Sequence, residues 1–138
     1  MTRLAKGFLA VIFLMLTACA SIQTTSINEE FDRSVKAYNR LLRWHEIESA
    51  GVTYIDPELR EDFLKQAETL KKRGLSVTDF RILSSKFVPE KKSGDVIAEF
   101  DYYILPSNRI KTISYRQDWA YQESIKSWKL KSKLPVFE

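Results

Sequence analysis

A single thiol, a single imidazole and a few strand carboxylates are the groups in this 138-residue chain that could do chemistry. The thiol is Cys19, which follows Leu16-Thr17-Ala18. The imidazole is His45, beside Trp44, with Glu48 one helical turn further on. A general base needs such an orienting acid, but a histidine at a helix C-terminus is equally what the helix dipole favours on a surface. The surface account is the simpler one. One histidine and one cysteine cannot assemble a zinc or copper site of the usual nitrogen and sulfur type, so no metal and no cofactor are expected. The four glycines are scattered singly and form no phosphate loop, and no Gly-x-Ser-x-Gly or Ser-x-x-Lys constellation stands out. The expectation is that the protein is not an enzyme.

The surroundings of Cys19 point elsewhere. Arg3 and Lys6 make a short positive segment, Phe8 to Leu16 is an unbroken apolar run, and small residues precede the cysteine. This is the three-part pattern of a secretory signal. The run is about half of the ~20 residues a membrane-spanning helix needs. Leu16-Thr17-Ala18-Cys19 resembles the lipobox of bacterial lipoproteins. The resemblance implies cleavage between Ala18 and Cys19, diacylglycerol on the Cys19 thiol, and acylation (palmitate) of the new amine. Several acyl chains anchor far more firmly than one. A lone cysteine in an exported chain otherwise lacks a partner. By analogy with lipoprotein sorting, Ala20 after the cysteine implies the outer membrane, facing the periplasm, in a Gram-negative host.

The expected organisation is therefore a signal at 1–18, the lipidated cysteine and a polar tether at 19–26, and one α+β domain at 27–138. Removing 1–18 takes away Arg3 and Lys6 and no acid, leaving 20 basic and 18 acidic side chains. That balance implies no nucleic-acid partner, and 120 residues suffice for one core without staples.

Within the domain, Ser26-Ile27-Asn28-Glu29 has the form of a capping box. Ile27, Phe31, Val35, Tyr38 and Leu42 follow at helical spacing, predicting a first helix to about Glu46 or Ile47. Gly51 to Ile55 reads as an extended connector. A second helix is bounded by Asp56-Pro57 and Gly74, with Leu59, Phe63, Ala67 and Leu70 as its apolar stripe. From Ser76 the period becomes two, predicting strands at 76–88, 95–105, 110–121 and 127–134 joined by short turns. A bulge is expected near Ser84-Ser85.

Closing the second turn on Leu105 and Ile110 pairs Phe100 with Tyr115, Tyr102 with Ile113, Val96 with Trp119 and, outside, Glu99 with Arg116. Pairing Trp119 with Trp128 sets Ile113 by Leu134 and Asp118 by Lys129. Apolar residues then share one face and charges the other. The predicted fold class is α+β, with two N-terminal helices packed on one face of a curved four-stranded antiparallel meander sheet.

Phe31 to Leu42, Pro57 to Leu70, Val96 to Leu105 and Trp128-Lys129-Leu130 give an order that resembles the nuclear transport factor two-like, or cystatin-like, superfamily. The resemblance implies a cavity between helices and sheet, which enzymatic members furnish with a carboxylate. On the predicted register no acid faces inward: Glu99, Asp101 and Asp118 lie outside, and Asp79 is placed at the surface. Tyr102, Tyr115, Gln117, Trp119 and Ser132 face inward, either lining a pocket for a small apolar ligand or filling the core. Lys126, Lys129, Lys131 and Lys133 read as an outer basic stripe, either an interface or protection of an edge strand. The expected function is a membrane-anchored, non-enzymatic binding module with an envelope protein partner. The alternative is a small-molecule or lipid carrier, or, less favoured, an enzyme, using the cavity. A deep, polar-lined pocket containing Asp79 or His45 would favour it, whereas a filled core would favour the module.

Overall fold

The computed structural model describes the backbone of residues 2–138 and the side chains of residues 23–138. Helix α1 (Thr2–Arg43) leads into α2 (Ile47–Tyr54) and α3 (Arg60–Lys72), followed by β1 (Leu75–Val88), β2 (Ser93–Ile104), β3 (Lys111–Gln122) and β4 (Ser127–Leu130). The strands form an open antiparallel meander in the order β1-β2-β3-β4, and the helices pack on its apolar face.

The first helix has its expected stripe: Ile27, Phe31, Val35, Tyr38 and Leu42 are all buried. Its start differs from the expected capping box. Gln23 to Ser26, read as tether, are exposed and helical. No Gly or Pro in that stretch interrupts the backbone bonds, so Ser26 has no exposed first turn to cap. The C-terminal end is a Schellman motif. The Glu46 N–H donates to Leu41 O at 2.8 Å and the His45 N–H to Leu42 O at 3.3 Å. His45 holds the left-handed position at φ 64°, where glycine is usual.

The expected connector at Gly51 to Ile55 is instead mostly helical, making three helices rather than two. Gly51 is no breaker here: a Cβ on it would lie 2.6 Å from the Phe63 ring, so its bareness lets α2 approach α3. Asp56 does cap the chain that follows, its Oδ1 accepting the Glu58 N–H at 3.0 Å, but only a turn is closed and α3 begins at Arg60.

In β2 and β3 the faces are as read and the partners are not. Phe100 pairs with Ile113 and Ala98 with Tyr115, while Gly94 rather than Val96 faces Trp119. Trp119 pairs with Leu130 rather than Trp128. Both registers are displaced by two residues, which preserves which side each residue faces. The displacement follows from the connection: β2 ends at Ile104 and β3 begins at Lys111, so Leu105 and Ile110 are exposed loop residues instead of a closing pair.

Register shifts in β1 fall between Val77 and Asp79 and between Ile82 and Ser84. They bring Val77, Phe80, Ile82 and Phe87 all onto the core side, with Leu83 left exposed. β4 is half the expected length. Its edge is covered by a parallel bridge from Ile55 to Leu130, and the Asp56 N–H donates to Leu130 O at 3.0 Å. The tail turns away and inserts Leu134 and Phe137 into the core.

The outer face is a charge lattice with partners other than those expected. Arg81 reaches Glu99 at 2.7 Å and Asp101 at 2.9 Å, while Arg116 reaches Asp95 at 2.6 Å and Asp118 at 3.0 Å. Hydrogen bonds from Arg81 and then Thr112 lower the Asp101 carboxyl to about 2. A carboxylate depressed below its unfolded value near ~3.9 contributes stability that is complete above that value and lost as pH falls through the folded one. In urea melts between pH 5 and pH 2, Asp101→Asn is expected to lose stability with a shallower slope than the parent. Equal slopes would contradict the Arg81 pairing.

Candidate functional site

The interior between helices and sheet is filled. Phe31 packs on Trp128 with ring centroids 4.8 Å apart, Tyr38 meets Trp119 edge-on at 5.7 Å, and Phe137 meets Tyr102 at 4.8 Å. The residues expected to face inward do so, but their polar tips are engaged by the protein. The Tyr115 hydroxyl lies 3.2 Å from that of Tyr38, and the Tyr102 hydroxyl donates to Glu138 O at 3.2 Å. Burial, then the neighbouring Tyr115, holds the Tyr38 hydroxyl well above its ordinary range, and burial raises Tyr115 likewise. Both hydroxyls therefore stay neutral. Ser132 is the exception to the inward placement: it sits past the end of β4, where its hydroxyl accepts the Asp118 N–H at 2.9 Å.

Gln117 is fully buried and makes a reciprocal amide pair with Asn39 of α1. Gln117 Nε2 donates to Asn39 Oδ1 at 2.7 Å and Asn39 Nδ2 to Gln117 Oε1 at 3.3 Å. The Trp119 indole also donates to Gln117 Oε1, at 3.2 Å. Asn39 was not singled out from sequence, although it lies four residues after Val35 on the buried side of the helix. Asn39→Ala is expected to cost about 1–3 kcal/mol in chemical denaturation, since it strands a buried amide. In Asn39→Leu/Gln117→Leu the loss should fall below the sum of the single changes; simple additivity would contradict the pair.

The lysines do not form one stripe. Lys126 lies in the β3–β4 turn and Lys133 in the tail, both exposed. Lys131 reaches Asp56 at 3.4 Å. Lys129 is only 9% exposed and donates to Thr53 O, at the end of α2, at 2.6 Å. Desolvation first, then Arg60, lowers its pKa. The expected outer position fails because Ile55 and Asp56 lie along β4 and cover that side. Asp56 is the hub: besides Lys131 it accepts Gln122 Nε2 at 2.8 Å. Lys133→Ser should leave stability within about 0.5 kcal/mol, whereas Lys129→Ala should cost about 1–3 kcal/mol through the lost charged hydrogen bond. Equal thermal midpoints for the two variants would contradict this placement.

His45 borders the largest surface depression described, about 400 Å³ between the end of α1, α2, α3 and β1. Leu42, Leu75 and Val77 give it an apolar floor, and Glu48 and Lys71 stand on its rim. A His45–Glu48 relay, the less simple of the two accounts of His45, is not the arrangement found. Glu48 pairs with Lys71 at 3.7 Å and His45 Nε2 lies 3.2 Å from Ser76 Oγ. Asp79 is exposed, as expected, and 3.5 Å from Arg81. Next to the depression Trp44 stands 64% exposed under the Arg43 guanidinium, 5.2 Å from its ring. Exposed Leu105 lies at this same end, its N–H donating to Gly74 O at 3.3 Å. Among the described residues no cluster of three or more His, Cys, Asp or Glu is placed to hold a metal, and no helix is long and apolar enough to cross a membrane. The cleavage and lipidation residues, Ala18 and Cys19, lie outside the residues whose side chains are described.

No family model and no curated protein sequence matches the chain. Among solved structures, the intermembrane space region of the chloroplast protein ARC6 is similar, with a TM-score of 0.51 over 73% of this chain and 89% of that one. At 13% sequence identity the likeness is one of fold alone. What the two share is an α+β arrangement of helices on an antiparallel sheet.

Proposed function

We propose that this chain is a lipid-anchored envelope protein whose domain works as a non-enzymatic binding module, with a nuclear transport factor two-like fold emptied of the usual cavity. The observation that carries the reading is the filled interior. Phe137, Trp119 and the Asn39–Gln117 pair occupy the space where a carrier or enzyme of this shape would hold its ligand, so binding falls to the surface. The anchor rests on the Leu16-Thr17-Ala18-Cys19 tetrapeptide behind its apolar run. The intermembrane setting named for the ARC6 region is compatible with that address. The surface best suited to a protein partner is the end carrying Trp44 and Leu105, since exposed aromatic and apolar side chains beside an arginine are what interface centres use.

A second reading has one observation in its favour. The 400 Å³ depression at His45 has an apolar floor and a charged rim, so a small amphipathic ligand would be held there and not inside the domain. Cross-linking the lipidated protein in its own membranes, capture and mass spectrometry separates the two. A recurrent protein cross-linked near Trp44, and lost with Trp44→Ala, is the expected result. A co-purifying small molecule with no protein partner would overturn the module reading in favour of the depression.

A further inference from the structure

The two turns nearest the start of the described α1 side chains lie together at one end of the sheet. Gln23, Ser26 and Ile27 border the same depression as Lys92, Glu123 and Lys126. Lys92 pairs with Glu123, and the Tyr121 N–H donates to Lys92 O at 2.9 Å, joining the β1–β2 turn to the β3–β4 turn. Trp44, the His45 depression and Leu105 lie at the opposite end, about 24 Å along α1 from Ile27 at 1.5 Å per residue.

Cys19 precedes Gln23 by four residues, and four residues span at most ~14 Å in any conformation. The headgroup layer of one leaflet is itself roughly 5–8 Å deep. With ~14 Å of chain against a layer ~5–8 Å deep, acyl chains on Cys19 hold the near end of the domain within about 6–9 Å of the bilayer surface. What that end presents is fitted to the contact. Ile125, 52% exposed, stands on the β3–β4 turn between Ser124 and Lys126, and Lys91 stands exposed on the neighbouring turn. Lys92 is paired with Glu123, and Glu90 is the other acid on these turns, so Ile125 with Lys91 and Lys126 leaves an apolar tip in a net basic patch. That is the composition of an interfacial contact: the ammonium groups reach phosphates while their stems and the apolar residue sink.

We infer that the turn pair Pro89–Lys92 and Glu123–Lys126 is a second membrane-contact site, with Ile125 entering the headgroup layer and Lys91 and Lys126 meeting lipid phosphates, so that the Trp44 end is held facing away from the bilayer. This rests on the lipid-anchor reading above. The lipid anchor alone would let the domain tumble; the turn pair gives it one orientation.

The test uses full-length protein purified with its lipid and reconstituted into phosphatidylethanolamine and phosphatidylglycerol vesicles, with and without bromine on the acyl chains. Ile125→Trp adds an indole at the turn, and the readout is the emission this variant has beyond the parent. Brominated chains are expected to quench most of that added emission. Lys91→Glu/Lys126→Glu in the same background should restore much of it while the protein stays on the vesicles. Unquenched added emission from palmitate-labelled protein would overturn the inference alone. Absence of palmitate on the parent would overturn it together with the anchor.

Discussion

Trp119→Ala is expected to remove about 3–5 kcal/mol of folding stability, the range for truncating a buried aromatic. The ring is 2% exposed and meets Phe31, Tyr38 and Tyr54 edge-on at centroid distances of 6.4, 5.7 and 6.2 Å. Its indole N–H completes the Asn39–Gln117 network, so truncation opens a cavity and also takes a donor from a buried carbonyl. The cavity cannot collapse easily, because the strand opposite is already in contact with the helix. Gly94, the β2 partner of Trp119, has no side chain, and a Cβ there would lie 2.3 Å from the Phe31 ring. Set against the ~5–15 kcal/mol of a typical domain, such a loss leaves a marginal fold. Urea denaturation of the two proteins measures it, and a loss below about 1 kcal/mol would contradict the position given to the ring.

The same tryptophan shows how far the fold could be read from residues alone. Its inward face was legible because Gln117, Trp119, Trp128 and Leu130 alternate with polar neighbours, and alternation survives any displacement by an even number. Its partner was not legible for the same reason: a period-two pattern scores equally well two residues along, and only the length of the 105–110 connection decides. Gly51 misled because a glycine that permits close helix packing looks in sequence like one that ends a helix. Lys129 misled because its burial comes from Ile55 and Asp56, some seventy residues earlier in the chain. The tight core at Phe137 was likewise invisible, since the tail has no periodicity. Ser26 carried a sound capping signal that an uninterrupted helix had no use for. What sequence did single out at the surface, His45 beside Trp44, lies on the largest depression described, though with Ser76 rather than Glu48 as the ring's partner.

Cys19→Ser is expected to have the other large effect, and it concerns address rather than stability. With the thiol replaced there is no acceptor for diacylglycerol, and cleavage in the lipoprotein route follows that modification. The variant should accumulate as uncut precursor, carry no palmitate label and fail to take up the cross-links of the parent. Its domain should nonetheless fold, because every described core residue lies at Ile27 or beyond. Folded variant with unchanged cross-links would separate partner binding from anchoring. It would also remove the short connection between Cys19 and Gln23 from the account of how the domain is oriented.

Both the address and the orientation proposed for the domain depend on Cys19 being the lipid-bearing first residue of the mature protein. Mass spectrometry of the N-terminal peptide from protein purified out of its own membranes tests this directly. The predicted result is a peptide that begins at Cys19 and carries the mass of a diacylglycerol and an amide-linked acyl chain. A mature chain that begins elsewhere, or at an unmodified Cys19, would contradict it.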